Sequence, residues 1–193
     1  MLHAKKTWSG NICLKLVQCK DTQNIGYFRY EHDFVKTHNT IYIIMYKLNL
    51  PPYDIKIKAT DGRPAVYDVL RRKYVALTPE EWVRQHFVHF LISAKGYPQA
   101  YMANEVELKV GSKKLRCDSV LYDPTLSPRM IMEYKAPTIQ ITQNVFNQIA
   151  AYNMLLHVDY LVVSNGLQHY CCKMDYVGKK YLYLRDIPDY QKL

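Results

Sequence analysis

A chain of 193 residues with 49% hydrophobic content can bury one sizeable core but is short for two, so one globular domain is expected. A formal net charge of +9 favours a polyanionic partner such as nucleic acid over an acidic protein or a neutral small molecule. Five cysteines, odd in number and without a C-x-x-C pair, argue against a disulfide framework or structural zinc site and for a reducing cytoplasm. Lys5 and Lys6 are not followed by an uninterrupted apolar stretch, so no export signal is read. The apolar run from Ile41 to Tyr46 falls far short of the roughly 20 residues that span a bilayer.

Residues 1–44 have a mixed pattern, with His3, His32, His38 and two cysteines scattered through them and no clear period until Thr40. They are read as an N-terminal extension, an appendage upstream of a functional start at Met45, with the domain proper at 45–193. From Tyr53 the signals sharpen. Ile55 to Lys58 alternates like a half-buried strand, Asp61-Gly62 marks a turn, and Ala65 to Leu70 reads as a second strand. Arg71-Arg72-Lys73 is then a short basic run, either a solvated edge or a phosphate contact.

Thr78-Pro79-Glu80-Glu81 opens a helix, with Thr78 as N-cap, Pro79 at the first position and Glu81 completing a capping box. Val83, Phe87, Phe90 and Leu91 supply its apolar face, and Gly96-Tyr97-Pro98 ends it. Met102 to Val110 is a strand on which Glu105 and Glu107 share a face, followed by a turn at Gly111 to Lys114. Beyond Pro137 an amphipathic helix is predicted from about Thr142 to His157, on Val145, Ile149, Tyr152 and Leu156. Tyr160 to Ser164 is an apolar, β-branched strand of the buried kind. Leu167 to Met174 and Lys179 to Leu184 make two more.

The stretch from Arg116 to Lys135 organises the rest. It reads as a β-hairpin whose arms, Leu115 to Asp123 and Arg129 to Lys135, flank a turn cluster at Pro124 to Pro128. Alternation puts Glu133 and Lys135 on one face with Tyr134 pointing away, and the hairpin brings Asp118 level with them. Two carboxylates and an amine suit a hard divalent cation and an attacking water. Glu133 and Lys135 on their own are more often a solvated ion pair of little consequence. His86 and His89 fall in no zinc spacing and are read as structural or solvated.

The order helix, three strands, helix, strand, with the motifs along it, resembles the PD-(D/E)XK nuclease superfamily. More narrowly it resembles the N-terminal nuclease domain of the type I restriction enzyme R subunit. The residues that carry this are Thr78 to His86, Gly96-Tyr97-Pro98, Arg116-Cys117-Asp118, Glu133-Tyr134-Lys135-Ala136-Pro137, Gln148 to Tyr152 and Ser164-Asn165-Gly166. The resemblance implies an α/β restriction-endonuclease-like core (αβββαβ), a mixed central sheet flanked by helices. It implies a catalytic set of Asp118, Glu133, Lys135 and Gln148, acting on DNA with Mg2+, for which Mn2+ can substitute. Asp118, Glu133 and the Tyr134 backbone carbonyl would be metal ligands, and Glu81 matches a helix acid that can approach the metal, although capping explains it as well. Tyr152 completes a Q-x-x-x-Y element that touches DNA, and Lys109, Lys113, Lys114 and Arg116 would neutralise phosphates.

Two positions depart from the common pattern: Tyr134 stands between acid and lysine, and Cys117 stands where alanine is usual. No G-x-x-x-x-G-K-[ST] loop occurs, so this chain carries no ATP site, and separate restriction-modification or motor subunits are the expected partners. The competing reading is a non-catalytic nucleic-acid-binding module that keeps the nuclease fold.

Overall fold

The computed structural model describes residues 13–17, 25–31, 41–60, 63–110 and 113–193. Three antiparallel strands come first, β1 (Cys13–Val17), β2 (Ile25–Glu31) and β3 (Ile41–Tyr46), in the order β1-β2-β3. β3 runs through Met45, and the Tyr46 carbonyl accepts from Trp82 Nε1 at 3.0 Å. A second antiparallel sheet has the order β4 (Ile57–Thr60), β5 (Arg63–Asp68), β6 (Lys73–Ala76). Ile57, Val66 and Val75 form one cross-strand row that packs on Trp82. β6 begins inside the run read as a basic edge. The pairing of Tyr74, Val75 and Ala76 with β5 decides this, because β-branched and aromatic residues suit a half-buried sheet whatever charge precedes them. The Asp61-Gly62 turn lies outside the described residues.

Helix α1 (Pro79–Ala94) starts where predicted: Thr78 is its N-cap, and Thr78 Oγ1 accepts from the Glu81 N–H at 3.0 Å. Then come β7 (Met102–Val110), β8 (Lys113–Tyr122), β9 (Pro128–Tyr134), α2 (Gln143–Leu156), β10 (Tyr160–Ser164), β11 (His169–Asp175) and β12 (Lys180–Leu184). The last six strands form one mixed sheet in the order β12-β11-β10-β9-β8-β7. All neighbours are antiparallel except β9 and β10, which are parallel because α2 carries the chain across between them.

The sheet is the middle of three layers. Tyr160 and Val162 face the α1 side with Val83, Phe87, Leu91, Met130, Met132 and Tyr134. Leu161 and Val163 face the α2 side with Phe146, Ile149 and Ile131. A strand buried on both faces needs this continuous apolar composition, and β10 is buried at all five positions. This is an α/β fold with the restriction-endonuclease-like layout of one helix, a three-strand meander, a crossover helix and a further strand. Among the described residues no helix is long and apolar enough to cross a membrane.

The loop after β10 fastens the segment before β4 to this core. Gly166 has φ +81°, and a Cβ there would lie 2.6 Å from Leu48 Cδ2 and 3.1 Å from Val83 Cγ2, so glycine is required for conformation and for space. The Gly166 carbonyl accepts from Asn49 N at 2.7 Å, and His169 Nε2 lies 3.0 Å from the Asn49 carbonyl.

His86 makes stability depend on pH. It is buried beside Trp82 and Tyr53, with Nδ1 2.9 Å from the Trp82 carbonyl, and burial pushes its pKa down from 6.5 to about 4. Unfolded, the ring protonates as pH falls through 6.5; folded, it resists until about 4, so stability is progressively lost across that window. The loss is about 3 kcal/mol. Urea denaturation at about pH 7 and about pH 4 should show this extra acid loss in the parent and not in His86→Phe. Equal losses in the two proteins would remove His86 as the cause.

Candidate active site

Asp118 sits on β8, Glu133 near the end of β9 and Lys135 one residue beyond it. Ser119 pairs with Met132, so Asp118 and Glu133 flank the next rung, where the ladder opens. Asp118 Oδ2 accepts from the Tyr134 N–H at 2.8 Å, which ties the two arms at that point. Lys135 Nζ donates to Glu133 Oε1 at 2.8 Å, so acid and amine share a face as alternation predicts, while the Tyr134 ring is wholly buried on the α1 side. The Lys135 N–H donates to the Ser164 carbonyl on β10 at 2.9 Å. A trans peptide is planar, so the Tyr134 carbonyl points the other way, towards β8.

A bend in the first hairpin aims Asp118. Val106 and Cys117, a pair, join the α2-side core. Asn104 and Ser119, the pair two residues along, bond to each other instead, and Asn104 Nδ2 donates to Asp68 Oδ2 at 2.9 Å. Regular strands would keep both pairs on one face. The switch occurs at Glu105, whose φ is +55°, a left-handed conformation that costs a non-glycine residue on the order of 1 kcal/mol. It turns Glu105 and Asp118 towards α1.

Arg84 meets them there. Its Nη1 donates to Glu81 Oε2 at 2.8 Å and Glu105 Oε1 at 2.5 Å, and its Nη2 donates to Asp118 Oδ1 at 2.8 Å. The side chain is only 4% exposed, and although burial opposes its charge, Glu81, Asp118 and Glu105 raise its pKa. The network continues outwards. Arg71 bridges Asp68 and Glu81, Gln85 Nε2 donates to Glu81 Oε1 at 2.8 Å, and Arg116 pairs with Glu105.

The sequence places Glu81 in a capping box, but its carboxylate does not turn back to the cap. It turns inwards to Arg71, Arg84 and Gln85, and reaches Asp118 only through Arg84. The neighbouring Glu80, which sequence reasoning passed over, senses the hairpin directly. Burial and then Asp118 push its pKa up, against the pull of Lys135. Glu133 is likewise raised by burial and by Asp118, and Lys135 offsets this only in part. Burial would pull the Lys135 ammonium down, but the Glu133 bond and charge hold its pKa above the ordinary value.

Of the other predicted residues, Lys114 is exposed, and Arg116 is exposed but committed to Glu105. Gln148 and Tyr152 lie on α2 and Lys109 and Lys113 on β7 and β8, with side chains outside the described residues. Among the described residues no three His, Cys, Asp or Glu side chains already form a metal cage.

A family model described as type I restriction enzyme R protein N terminus (HSDR_N) matches residues 79–188. The chain belongs to this family. The match runs from the first residue of α1 through the six-stranded sheet, so the resemblance carried by Thr78 to His86 and the later motifs is borne out. A search of curated proteins finds no match. The matched segment of the family holds Glu80, Glu81, Arg84, Glu105, Asp118, Glu133 and Lys135, whereas Asp68 and Arg71 precede it. Those two nevertheless reach into the site, through Asn104 and Glu81.

Proposed function

We propose that this chain is a divalent-metal-dependent deoxyribonuclease domain that hydrolyses phosphodiester bonds, with residues 45–193 as its nuclease-like unit, working in the cytoplasm beside separate motor or modification subunits. One observation carries the reading: in a basic protein, the site keeps an excess of negative charge. Asp68, Glu80, Glu81, Glu105, Asp118 and Glu133 make six acids, against four bases, Arg71, Arg84, Arg116 and Lys135. Burial first, and then the charge of Asp118, pushes the pKa values of Glu80 and Glu133 up, so part of that surplus is felt by both groups.

A magnesium ion fits this donor set. Magnesium needs one or two protein carboxylates and takes its other oxygens from substrate and water, so no complete protein cage is required. Asp118 and Glu133 would hold it, with the Tyr134 carbonyl as a third oxygen, and Glu80, whose carboxyl responds to the charge of Asp118, would compete with Glu81 for the helix-acid role. When bound, the ion supplies polarisation of the phosphoryl group and eases deprotonation of the attacking water. Lys135, kept protonated by Glu133, acts as a donor that orients the water and balances charge developing on the phosphoryl oxygens. Arg84 holds Asp118 in place from behind. Gln148 and Tyr152 would contact the bound DNA from α2.

Incubation of the purified chain with supercoiled plasmid and Mg2+ or Mn2+ tests this. Nicking that requires the ion and is lost in Asp118→Asn is the expected result. DNA binding without nicking under any metal condition would favour the non-catalytic binding module.

A further inference from the structure

The sheet β4-β5-β6 has a second face that the active site does not use. Lys56, Tyr67 and Tyr74 lie in one cross-strand row, since Tyr67 N donates to the Lys56 carbonyl at 2.9 Å and Tyr67 pairs with Tyr74. Lys58, Ala65 and Ala76 form the next row, and Thr60 pairs with Arg63 beyond it. All of these stand opposite the Ile57, Val66 and Val75 row that packs on Trp82. The face therefore carries three cations and two aromatic rings, and none of its strand positions holds a carboxylate.

Arg71, Arg84, Lys95, Arg116, Arg129, Lys135 and Lys192 each pair with an acid. Lys56, Lys58 and Arg63 make no ion pair among the described residues; the two lysines lie against rings instead. Lys58 Nζ is 4.1 Å from the Tyr74 centroid and Lys56 Nζ 5.7 Å from that of Tyr67. The rings meet edge-on at 5.2 Å, and Tyr74 is exposed.

We propose that the Tyr67 and Tyr74 face of β4-β5-β6, with Lys56, Lys58 and Arg63, is a docking surface for single-stranded DNA. Unpaired cations serve the phosphates of any nucleic acid, but aromatic rings on a flat sheet add affinity only where bases are unstacked and free to lie on them. That composition selects a single strand over a duplex, and a face with no carboxylate at its described strand positions does not suit a basic protein partner. The surface is wired to the active site. On β5, Tyr67 faces out and Asp68 faces in, where it bonds Asn104 and holds Arg71, which in turn reaches Glu81. The choice of DNA rests on the proposed function; the docking chemistry does not.

Fluorescence anisotropy with fluorescein-labelled oligothymidine in EDTA reads this surface with neither cleavage nor metal involved. The double variant Lys58→Ala/Arg63→Ala should bind about tenfold more weakly at low salt, and the slope of log affinity against log salt should shrink by about 1.4. Tyr74→Ala should weaken binding about tenfold, while Tyr74→Phe, which keeps the ring, stays near the parent. Unlabelled duplex should displace the probe less well than unlabelled single strand. Parent-like binding by both Lys58→Ala/Arg63→Ala and Tyr74→Ala, or equal displacement by duplex, would overturn the proposal. Either result would leave the metal-dependent nicking of plasmid standing or falling by itself.

Discussion

Lys135→Ala is expected to slow plasmid nicking by about a thousandfold while leaving the fold almost untouched. The two effects separate because Lys135 is part-exposed and its bond is to Glu133 alone, and such a pair contributes little to stability. What is lost is a charged donor that acts on the phosphoryl group as charge develops. A second effect goes with it. Lys135 partly restrains the upward push that burial and Asp118 exert on Glu133, so without it the Glu133 carboxylate protonates at higher pH. The acid limb of the rate profile should therefore move up in Lys135→Ala, with residual activity recovering as pH rises. First-order nicking rates across pH, with thermal melts alongside, check both parts. A variant that nicks like the parent would remove Lys135 from the chemistry, and one that also melts far lower would make its role structural.

Arg84→Leu should behave in the opposite way, unfolding before any chemistry can be read. Removing a buried guanidinium that holds three carboxylates leaves Asp118 without a cation and Glu81 and Glu105 with only Arg71 and Arg116, and breaking buried pairs in this way costs about 3–5 kcal/mol. The sign of the pH dependence is diagnostic. In the parent, against the upward push of burial, Arg116 and then Arg84 keep the Glu105 pKa low, so its contribution is present above the unfolded value and lost as pH falls through the folded one. In Arg84→Leu the Glu105 carboxylate loses one of the two guanidinium groups that hold its pKa down, so protonating it costs less and the deficit against the parent narrows as pH falls. Denaturant melts at neutral and mildly acidic pH measure this. A loss below about 1 kcal/mol, or a deficit indifferent to acid, would mean that the network is not the brace described.

What the sequence revealed follows from which forces are local. The hairpin, β10 and both helices were legible because period, caps and turn residues act over a few neighbours: Thr78 caps α1, and Tyr160 to Ser164 is buried on both faces as its composition demands. Pairing of Glu133 with Lys135 followed from alternation alone. The hub at Arg84 did not, since its partners lie 21 and 34 residues away and meet it only after the sheet has bent. Nothing local announces that bend, because a glutamate at φ +55° is held there by its tertiary bonds to Arg84 and Arg116 rather than by preference. Glu80 and Glu81 could not be told apart for a similar reason. Adjacent positions in a first turn point about 100° apart, and which one looks at the hairpin depends on how α1 rolls to bury Val83 and Phe87. β6 was hidden behind Arg71, Arg72 and Lys73, whose charge masked a strand that pairing with β5 stabilises.

Calorimetric titration of Mn2+ into the parent chain, Asp118→Asn and Glu133→Gln tests the assignment at its root. One divalent ion per chain should bind the parent, with affinity rising as pH climbs and Glu133 ionises, and each single substitution should weaken it by at least tenfold. A parent that takes up no ion, or variants that bind as the parent does, would contradict the claim that Asp118 and Glu133 gather around a cation.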